Sequence, residues 1–430
     1  MSQNLVGLTV NPCKMCMPMG AVTALYGIER CMSLLHGSQG CSTYIRRHMA
    51  THYNEPVDIA SSSLTEHGTV FGGADNLIKG LENLIEQYNP KVIGVPTTCL
   101  AETIGEDIPR IIQDFYETHP GVDATIIPIA TPGYGGTQYE GFFAALRAVV
   151  EQVKMNEEKN DKVNIITGMI SPADTRCLKS LLDQTGLDYI LLPDISETLD
   201  GIHATEYDRL PLGGTPLDDI SKMAGARMTI EFSAFVPSAL SPAKYLKERF
   251  GVPYVRMNMP VGLRDTDEFL HRLTLLGGSI PQRVERERGR LVDAMIDSHK
   301  YNANGRAAVF GEPDLVYAVV RLMCENGVVP VLAATGSVCK GFADLLTPEI
   351  NKAADSAFVK RVVVEDDTDF DVIERMSLEL GANILIGSSE GRRISEKLHI
   401  KLVRCGFPIH DRIGGQRIRM LGYAGALELL

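Results

Sequence analysis

The sequence lacks three features, each of which would define a class of protein. No apolar run approaches the ~20 residues of a membrane-spanning helix, so nothing predicts a membrane protein. Basic residues are not in excess: 42 Lys and Arg against 54 Asp and Glu give a net charge of −12, which argues against general nucleic-acid binding. Residues 1–12 show neither the basic nor the apolar region of a signal peptide, so we expect a cytoplasmic protein.

The sequence also lacks an even set of cysteines, as a disulfide framework would require. It has nine, five of them within the first 99 residues. In a reducing compartment, closely spaced thiols more often bind metal or carry out redox chemistry. The N-terminal cysteines are therefore the first candidates for a functional site.

Short apolar runs alternate with amphipathic helical patterns along the chain. Residues 91–96 and 124–129 read as buried strands, and 107–117 as a helix with Asp107 as its N-cap. Similar strand-like runs lie at 163–168, 189–194, 306–311, 328–336, 360–365, 383–388 and 400–406. The alternation predicts an α/β fold with parallel sheets.

The length of 430 residues favours more than one domain. The charged stretch 154–162 reads as a solvated connection, and 281–305 as a long polar helix that bridges two blocks. We therefore predict three Rossmann-like domains with boundaries at 1–155, 156–300 and 301–430. The first begins with an apolar segment, 21–35, which we interpret as one helix.

Three cysteines fall in loops around one predicted crevice of the first domain. Cys99 follows the strand at 91–96, Cys41 ends the loop "HGSQGC", and Cys16 sits at a turn in "CKMCMPMG". In open parallel sheets, ligands lie beyond the carboxyl ends of the strands. Thiolates at Cys16, Cys41 and Cys99 are therefore candidate ligands of an iron–sulfur cluster.

Other interpretations of these cysteines remain open at this point. The C-x-x-C at Cys13 and Cys16 is also compatible with a redox pair or with half of a zinc site, although no second ligand pair completes the latter. The remaining cysteines read as small buried apolar residues; they are Cys31, Cys177 and Cys324, interpreted as helical, and Cys339 and Cys405.

Weaker candidates surround the same region. The glycine-rich loop 131–142 and the segment 387–393 follow strands, but neither matches a phosphate-binding motif, so a loop beside the crevice and a solvated helix start are the simpler interpretations. His36, beside Gly37, is a candidate hydrogen-bond partner near the cluster.

Several of these motifs together resemble a known family. The segments "NPCKMCMPMGA", "HGSQGC", "SSSLTEHGTVFGG", "TTCLAETIGED" and "GFPIHDRIGGQR" resemble component 1 of nitrogenase, on its β-type branch. The resemblance spans most of the chain and implies three Rossmann-like domains. It also implies that Cys16, Cys41 and Cys99 bind part of an iron–sulfur cluster at the interface with an α-type chain, whereas Cys13 is left without a role.

Within the family the chain resembles most the NifN branch, the β-like subunits of the NifEN scaffold for the iron–molybdenum cofactor. That resemblance implies a NifE-like α-type partner in an α2β2 heterotetramer, a cofactor precursor held by the partner, and docking of the Fe protein (NifH-like). It implies a [4Fe–4S] or P-cluster-like group at the interface. Because all three cysteines are present, the alternative is a β subunit of a catalytic nitrogenase or nitrogenase-like reductase. A third hypothesis is a structural subunit with inert thiols.

Overall fold

The computed structural model describes residues 13–203, 205, 208–357 and 359–430. The described chain forms three parallel β-sheets with helices packed against them, which confirms the predicted α/β class. None of the described helices is long and apolar enough to cross a membrane. Residues 1–12, where the sequence shows no signal-peptide pattern, lie outside the described residues.

The first sheet has four parallel strands in the order β2-β1-β3-β4. Its strands are β1 (Cys31–Leu35), β2 (Ala60–Ser61), β3 (Val92–Pro96) and β4 (Thr125–Ile129). The associated helices are α1 (Met17–Leu25), α2 (Gln39–Tyr53), α3 (Glu66–Phe71), α4 (Ala74–Tyr88), α5 (Cys99–Ile104), α6 (Ile108–Thr118) and α7 (Gln138–Gln152). As predicted, Asp107 caps α6, because its carboxylate accepts a hydrogen bond from the Arg110 N–H.

The prediction of one helix over residues 21–35 was wrong. Helix α1 ends at Leu25, and the chain then turns through Arg30, which has a φ of +50°, into strand β1. The turn is close-packed, because a Cβ at Gly27 would lie 2.2 Å from Pro193 Cβ. A continuous apolar run cannot by itself separate a buried helix from a buried strand. Cys31 is accordingly in a strand, and Cys41 follows that strand's carboxyl end.

The second sheet has four parallel strands in the order β6-β5-β7-β8, and the third has five in the order β11-β10-β9-β12-β13. The second comprises β5 (Val163–Ile166), β6 (Tyr189–Leu192), β7 (Met228–Phe232) and β8 (Tyr254–Met257), with α8 (Pro172–Thr185), α9 (Leu217–Lys222), α10 (Pro242–Phe250), α11 (Gly262–Leu275) and α12 (Gln282–Asn302). The third comprises β9 (Arg306–Phe310), β10 (Val329–Ala334), β11 (Val363–Glu365), β12 (Ile384–Gly387) and β13 (Lys401–Arg404), with α13 (Pro313–Glu325), α14 (Phe342–Ser356), α15 (Phe370–Glu379) and α16 (Arg392–Leu398). The last helix, α17 (Gly422–Leu429), packs against α11 and α12 beside the second sheet.

Helices α1 and α7 cross at backbone contact distance. A Cβ at Gly20 would lie 1.7 Å from the Gln138 carbonyl oxygen, and a Cβ at Gly141 would lie 1.9 Å from the Met17 carbonyl oxygen. Only glycine permits this approach at both positions. The crossing fixes the start of α1, and with it Cys16, against the start of α7.

The first turn of α7 joins all three sheets through buried hydrogen bonds. The Tyr139 hydroxyl lies 2.8 Å from both the Asp314 carboxylate and the Ser233 hydroxyl, which follow strands of the third and second sheets. Its neighbour Gln138 donates to the Glu312 carboxylate at 2.6 Å. The carboxyl ends of strands from three sheets therefore meet around one helix end.

Candidate functional site

All three predicted cysteines lie at the beginnings of helices near the first sheet. Cys16 is the N-cap of α1, Cys41 lies in the first turn of α2, and Cys99 is the first residue of α5. A helix N-terminus carries partial positive charge from unpaired N–H groups, which favours a thiolate over a thiol. The sequence folds this way because β1 and β3 each lead directly into a helix at the sheet's carboxyl edge.

Gly133, in the loop after β4, lies against two of these cysteines. Its N–H donates a hydrogen bond to Cys99 Sγ at 3.2 Å. A Cβ on Gly133 would lie 3.0 Å from Cys99 Sγ and 3.5 Å from Cys16 Cβ. The absence of a side chain thus leaves room beside both cysteines.

Electrostatic effects on Cys16 show that Cys41 lies near it, as Cys99 does. Burial raises the pKa of the Cys16 thiol, and negative charge on Cys41 and on Cys99 would raise it further. The Met19 N–H at the start of α1 opposes these effects. Cys16 is therefore close enough to Cys41 and to Cys99 for negative charges on these sulfurs to repel its own, a repulsion that bound iron would neutralise.

The donor geometry does not suit a single ion. Across the described ranges, no three His, Cys, Asp or Glu side chains converge closely enough to hold one metal ion. This disfavours the half-zinc interpretation of the C-x-x-C pair. Cysteines that bind different irons of one cluster do not need to converge on a single point, so the spacing remains compatible with an iron–sulfur cluster.

Two threonines hold the loop after β4 against the strand that leads to Cys99. The Thr131 N–H donates to Thr97 Oγ1 at 2.9 Å, and the Thr131 hydroxyl donates to the Thr97 carbonyl oxygen at 2.8 Å. This reciprocal pair fixes Gly133 beside Cys99. Sequence reasoning placed loop 131–142 near the crevice but missed Gly133, for which its position directly after a strand was the available signal.

His36 makes its side-chain hydrogen bond to a carboxylate rather than to one of the three thiols. Its ring is fully buried and hydrogen-bonds to the Glu106 carboxylate, which also accepts from the Gly73 N–H. The histidine therefore fastens the start of α4 to the end of β1. Its Nδ1 has no partner in the described structure.

Exposed apolar side chains surround the thiols. Val70 and Phe71, on helix α3 that packs against α5, are 73% and 76% exposed, and Tyr134 is 69% exposed. Tyr44 reaches the Met15 sulfur at 3.5 Å, beside Cys16. Cys99 is itself exposed. Large apolar side chains grouped around partly exposed thiols mark this surface as a contact site.

Cys13 does not join the three thiols. It is buried in the core of the third sheet, where a Cβ at Gly336 would lie 2.1 Å from its carbonyl oxygen. Burial raises the pKa of its thiol well above the ordinary value, with Glu312 adding to the effect. Cys13 therefore acts as a small core residue, and the two cysteines of the C-x-x-C pair have different environments.

Comparison with known proteins agrees with the fold and with the motifs. The family model for nitrogenase component 1 type oxidoreductases matches residues 16–430. The nitrogenase molybdenum-iron protein beta chain of Clostridium pasteurianum is 34% identical over 426 residues, covering 98% of this chain and 92% of the relative. The nitrogenase vanadium-iron protein beta chain of Trichormus variabilis is also 34% identical, over 97% of this chain and 91% of the relative.

A solved structure shows the same similarity in three dimensions. The structure titled "Nitrogenase Cp1 at pH 6.5" superposes with a TM-score of 0.92 at 34% identity, covering 98% of this chain and 92% of that one. The similarity in sequence and in fold extends over nearly the whole chain. The chain therefore belongs to the nitrogenase component 1 family, as a β-type member.

Proposed function

We propose that this chain is the β subunit of a nitrogenase-type enzyme and that Cys16, Cys41 and Cys99 bind part of an interfacial iron–sulfur cluster. The observation that carries the proposal is the grouping of three thiols at helix starts: Cys16 and Cys99 lie against Gly133, Cys41 lies near Cys16, and exposed apolar side chains occur on the same surface. The named relatives, which are beta chains of molybdenum-iron and vanadium-iron proteins, support the same conclusion.

The chain's own groups would hold and tune the thiolates. The Met19 N–H at the start of α1 would stabilise a Cys16 thiolate against the effect of burial, and Cys41 and Cys99 lie in the first turns of α2 and α5, where a helix carries partial positive charge. The Gly133 N–H donates to Cys99 Sγ, and such hydrogen bonds raise the reduction potential of a cluster. A bound cluster would supply one-electron transfer at this surface.

The number of ligands requires a second chain. Iron–sulfur clusters of the common types need four cysteine ligands or more, and this site offers three. Cys99 is exposed, so a ligand from another subunit can reach the same cluster. Val70, Phe71 and Tyr134 would be buried by that subunit, which we infer to be an α-type chain in an α2β2 complex. The Fe protein would be the electron donor to that complex.

The names of the relatives favour a catalytic role over the scaffold role that the sequence predicts. The second thiol of the C-x-x-C pair lends the scaffold role no support, because Cys13 is buried in the core of the third sheet. Cys16, Cys41 and Cys99 remain together, as the catalytic alternative requires. A NifN-like role, with a cofactor precursor on a NifE-like partner, therefore becomes an outcome to be tested.

The experiment is an activity comparison on the complex co-purified anaerobically with its α-type partner. With Fe protein, MgATP and a reductant, the proposal predicts reduction of nitrogenase substrates by the complex itself. Activation of a cofactor-deficient nitrogenase without substrate reduction would instead show the scaffold role. A colourless complex without iron would contradict both and would support the structural hypothesis.

A further inference from the structure

A cavity of about 420 Å³ lies away from the thiols, between α8, α12 and the segment that leads into α17. Its volume falls within the range of pockets that hold small molecules. Four arginines line it, and they are Arg176, Arg283, Arg417 and Arg419. Glu287 is the only carboxylate among the lining residues found in the described chain. A concentration of guanidinium groups is notable in a protein with a net charge of −12.

A buried carboxylate behind the cavity orients two of these arginines. Asp200, with only 4% of its side chain exposed, pairs with Arg176 and accepts from Arg417 Nε at 3.0 Å. Arg417 uses only Nε in this contact, and its side chain is 63% exposed. Its two terminal nitrogens are therefore held at the cavity with donors to spare.

The other two arginines are paired in a similar way. Arg283 donates through Nε to Glu287 at 2.8 Å, and Arg419 pairs with Glu428. In total, the four guanidinium groups pair with only three carboxylates, which are those of Asp200, Glu287 and Glu428. These pairs therefore keep a net positive charge. A guanidinium whose Nε is engaged still presents an N–H edge that matches a carboxylate or a phosphate.

We propose that this cavity binds a small molecule with two or more anionic groups, either phosphates or carboxylates. Arg417 and Arg283, which come from different segments of the chain, would each bind one anionic group. Arg176 would act as a positioning residue through Asp200. Leu181, Val284 and Leu421 give the cavity an apolar wall against which the body of such a molecule can pack. The site shares no residue with the thiol group and does not depend on the proposed function.

Cys177 provides a local reporter, because its thiol lines the same cavity. Cys324 is a matched control: it is also a partly buried helical cysteine, but it lines a different cavity of about 430 Å³, beside Glu325 and Glu349. The rate of alkylation of both thiols would be followed by mass spectrometry in the anaerobically purified complex. Inorganic pyrophosphate and citrate would be tested separately, at constant ionic strength maintained with chloride.

We expect pyrophosphate or citrate to slow alkylation of Cys177 in a saturable manner and to leave Cys324 unchanged. Protection by only one of the two anions would identify the phosphate or the carboxylate as the recognised group. In R417Q the concentration for half-protection should rise at least about tenfold, because a charge-assisted hydrogen-bonded pair is lost. R110Q, at an exposed arginine on α6 outside the cavity, should bind as the wild type does.

Three results would overturn the proposal. The first is equal slowing of Cys177 and Cys324, which would show a general salt effect. The second is unchanged protection in both R417Q and the double variant R283Q/R417Q, which would show that the arginines do not bind the anion. The third is a rate of Cys177 alkylation that neither anion changes, which would show that the cavity binds neither phosphate nor carboxylate groups.

Discussion

Two sheets of this protein carry cysteines at the carboxyl ends of their strands, but only one of them presents the thiols to a ligand. At the first sheet, Cys41 and Cys99 lie in the first turns of helices and are at least partly exposed, and Cys99 Sγ accepts a hydrogen bond from the Gly133 N–H. At the third sheet, Cys405 directly follows β13 and is 1% exposed. Burial raises the pKa of the Cys405 thiol to about 12.

The difference lies in the segment after each strand rather than in the sheet itself. At the first sheet, helix starts and Gly133 leave space and N–H donors beside the thiols. At the third sheet, Cys405 instead packs into the hydrophobic core, which covers its sulfur. A cysteine after a strand is therefore a ligand candidate only when the next turn leaves its sulfur accessible and solvates its anion.

The largest expected effect is on bound iron. Cys41→Ala removes a thiolate from the group at the first sheet, so the complex should lose most of the iron at this site and the corresponding absorbance. Cys405→Ala is the matched control, since it also removes a thiol after a strand but should retain the iron. Iron analysis and the visible spectrum of both complexes check this, and an unchanged cluster in the Cys41 variant would rule out the ligand assignment.

The next effect concerns the crossing that positions Cys16. Gly20→Ala places a Cβ 1.7 Å from the Gln138 carbonyl oxygen, so α1 must move away from α7. We expect a loss of more than about 3 kcal/mol in the free energy of unfolding, measured by denaturation. Gly289→Ala, within the exposed helix α12 and with nothing within 4 Å, should instead be neutral or gain up to about 1 kcal/mol. Similar losses at both positions would contradict the close crossing.

A smaller effect is a pH dependence of the free energy of unfolding. It concerns Glu312, which follows β9 of the third sheet and accepts a hydrogen bond from Gln138 on α7. Burial raises the pKa of Glu312 from its usual 4.5 to about 8, so the folded protein keeps this carboxyl protonated where the unfolded chain has lost the proton. Its contribution to stability is full below pH 4.5 and is lost as the pH rises towards 8. Glu312→Gln keeps an oxygen for the Gln138 amide and removes this dependence.

We therefore expect the free energy of unfolding of the Glu312→Gln variant, relative to the wild type, to rise by roughly 3 to 4 kcal/mol between pH 5 and pH 8, as followed by thermal unfolding. Glu157→Gln, in the exposed connection between α7 and β5, serves as the control and should show no such trend. A constant difference between Glu312→Gln and the wild type at both pH values would show that the carboxyl is not held protonated.

The smallest effect is a loss of stability as the pH falls, opposite in direction to the effect of Glu312. His52, on α2, accepts a hydrogen bond at Nδ1 from the Ile409 N–H and so ties segment 406–417 to the first sheet. Burial lowers the pKa of this histidine from 6.5 to about 3, so the folded protein keeps it neutral. Stability should therefore fall as the pH drops below about 6.5, by about 2 kcal/mol at pH 5. His52→Gln should remove that part of the acid sensitivity in the same unfolding assay, and an unchanged acid profile would contradict the assignment.

Apolar runs were a good guide to most of the strands, because parallel strands covered on both faces are apolar throughout. Strands β7 and β8 were not recognised, because Glu231 and Arg256 interrupt the apolar pattern. Glu231 is fully buried, and Arg256 Nε lies 3.0 Å from its carboxylate. In the sequence, each charged residue of a buried ion pair resembles a surface residue, because the pairing between neighbouring strands is not visible there.

The candidate site was predictable in part. A position after a predicted strand indicated Cys99, the glycine-containing loop "HGSQGC" indicated Cys41, and the family resemblance gave a role to Cys16 and none to Cys13. Spacing alone could not separate those two, because only the packing of Cys13 into the third sheet, more than 290 residues later in sequence, distinguishes them. Gly133 was missed for a related reason: its role is a backbone N–H and an absent side chain, which the residue type alone does not reveal.

The most direct test is the reactivity of the cysteines in the wild-type complex before and after removal of iron by a chelator. The thiols would be alkylated under anaerobic conditions and located by mass spectrometry. We predict that Cys16, Cys41 and Cys99 are protected while iron is bound and become reactive together when it is removed, whereas Cys13 and Cys405 stay unreactive in both states. Alkylation of the three thiols in the iron-loaded complex, with no loss of iron, would contradict their assignment as cluster ligands.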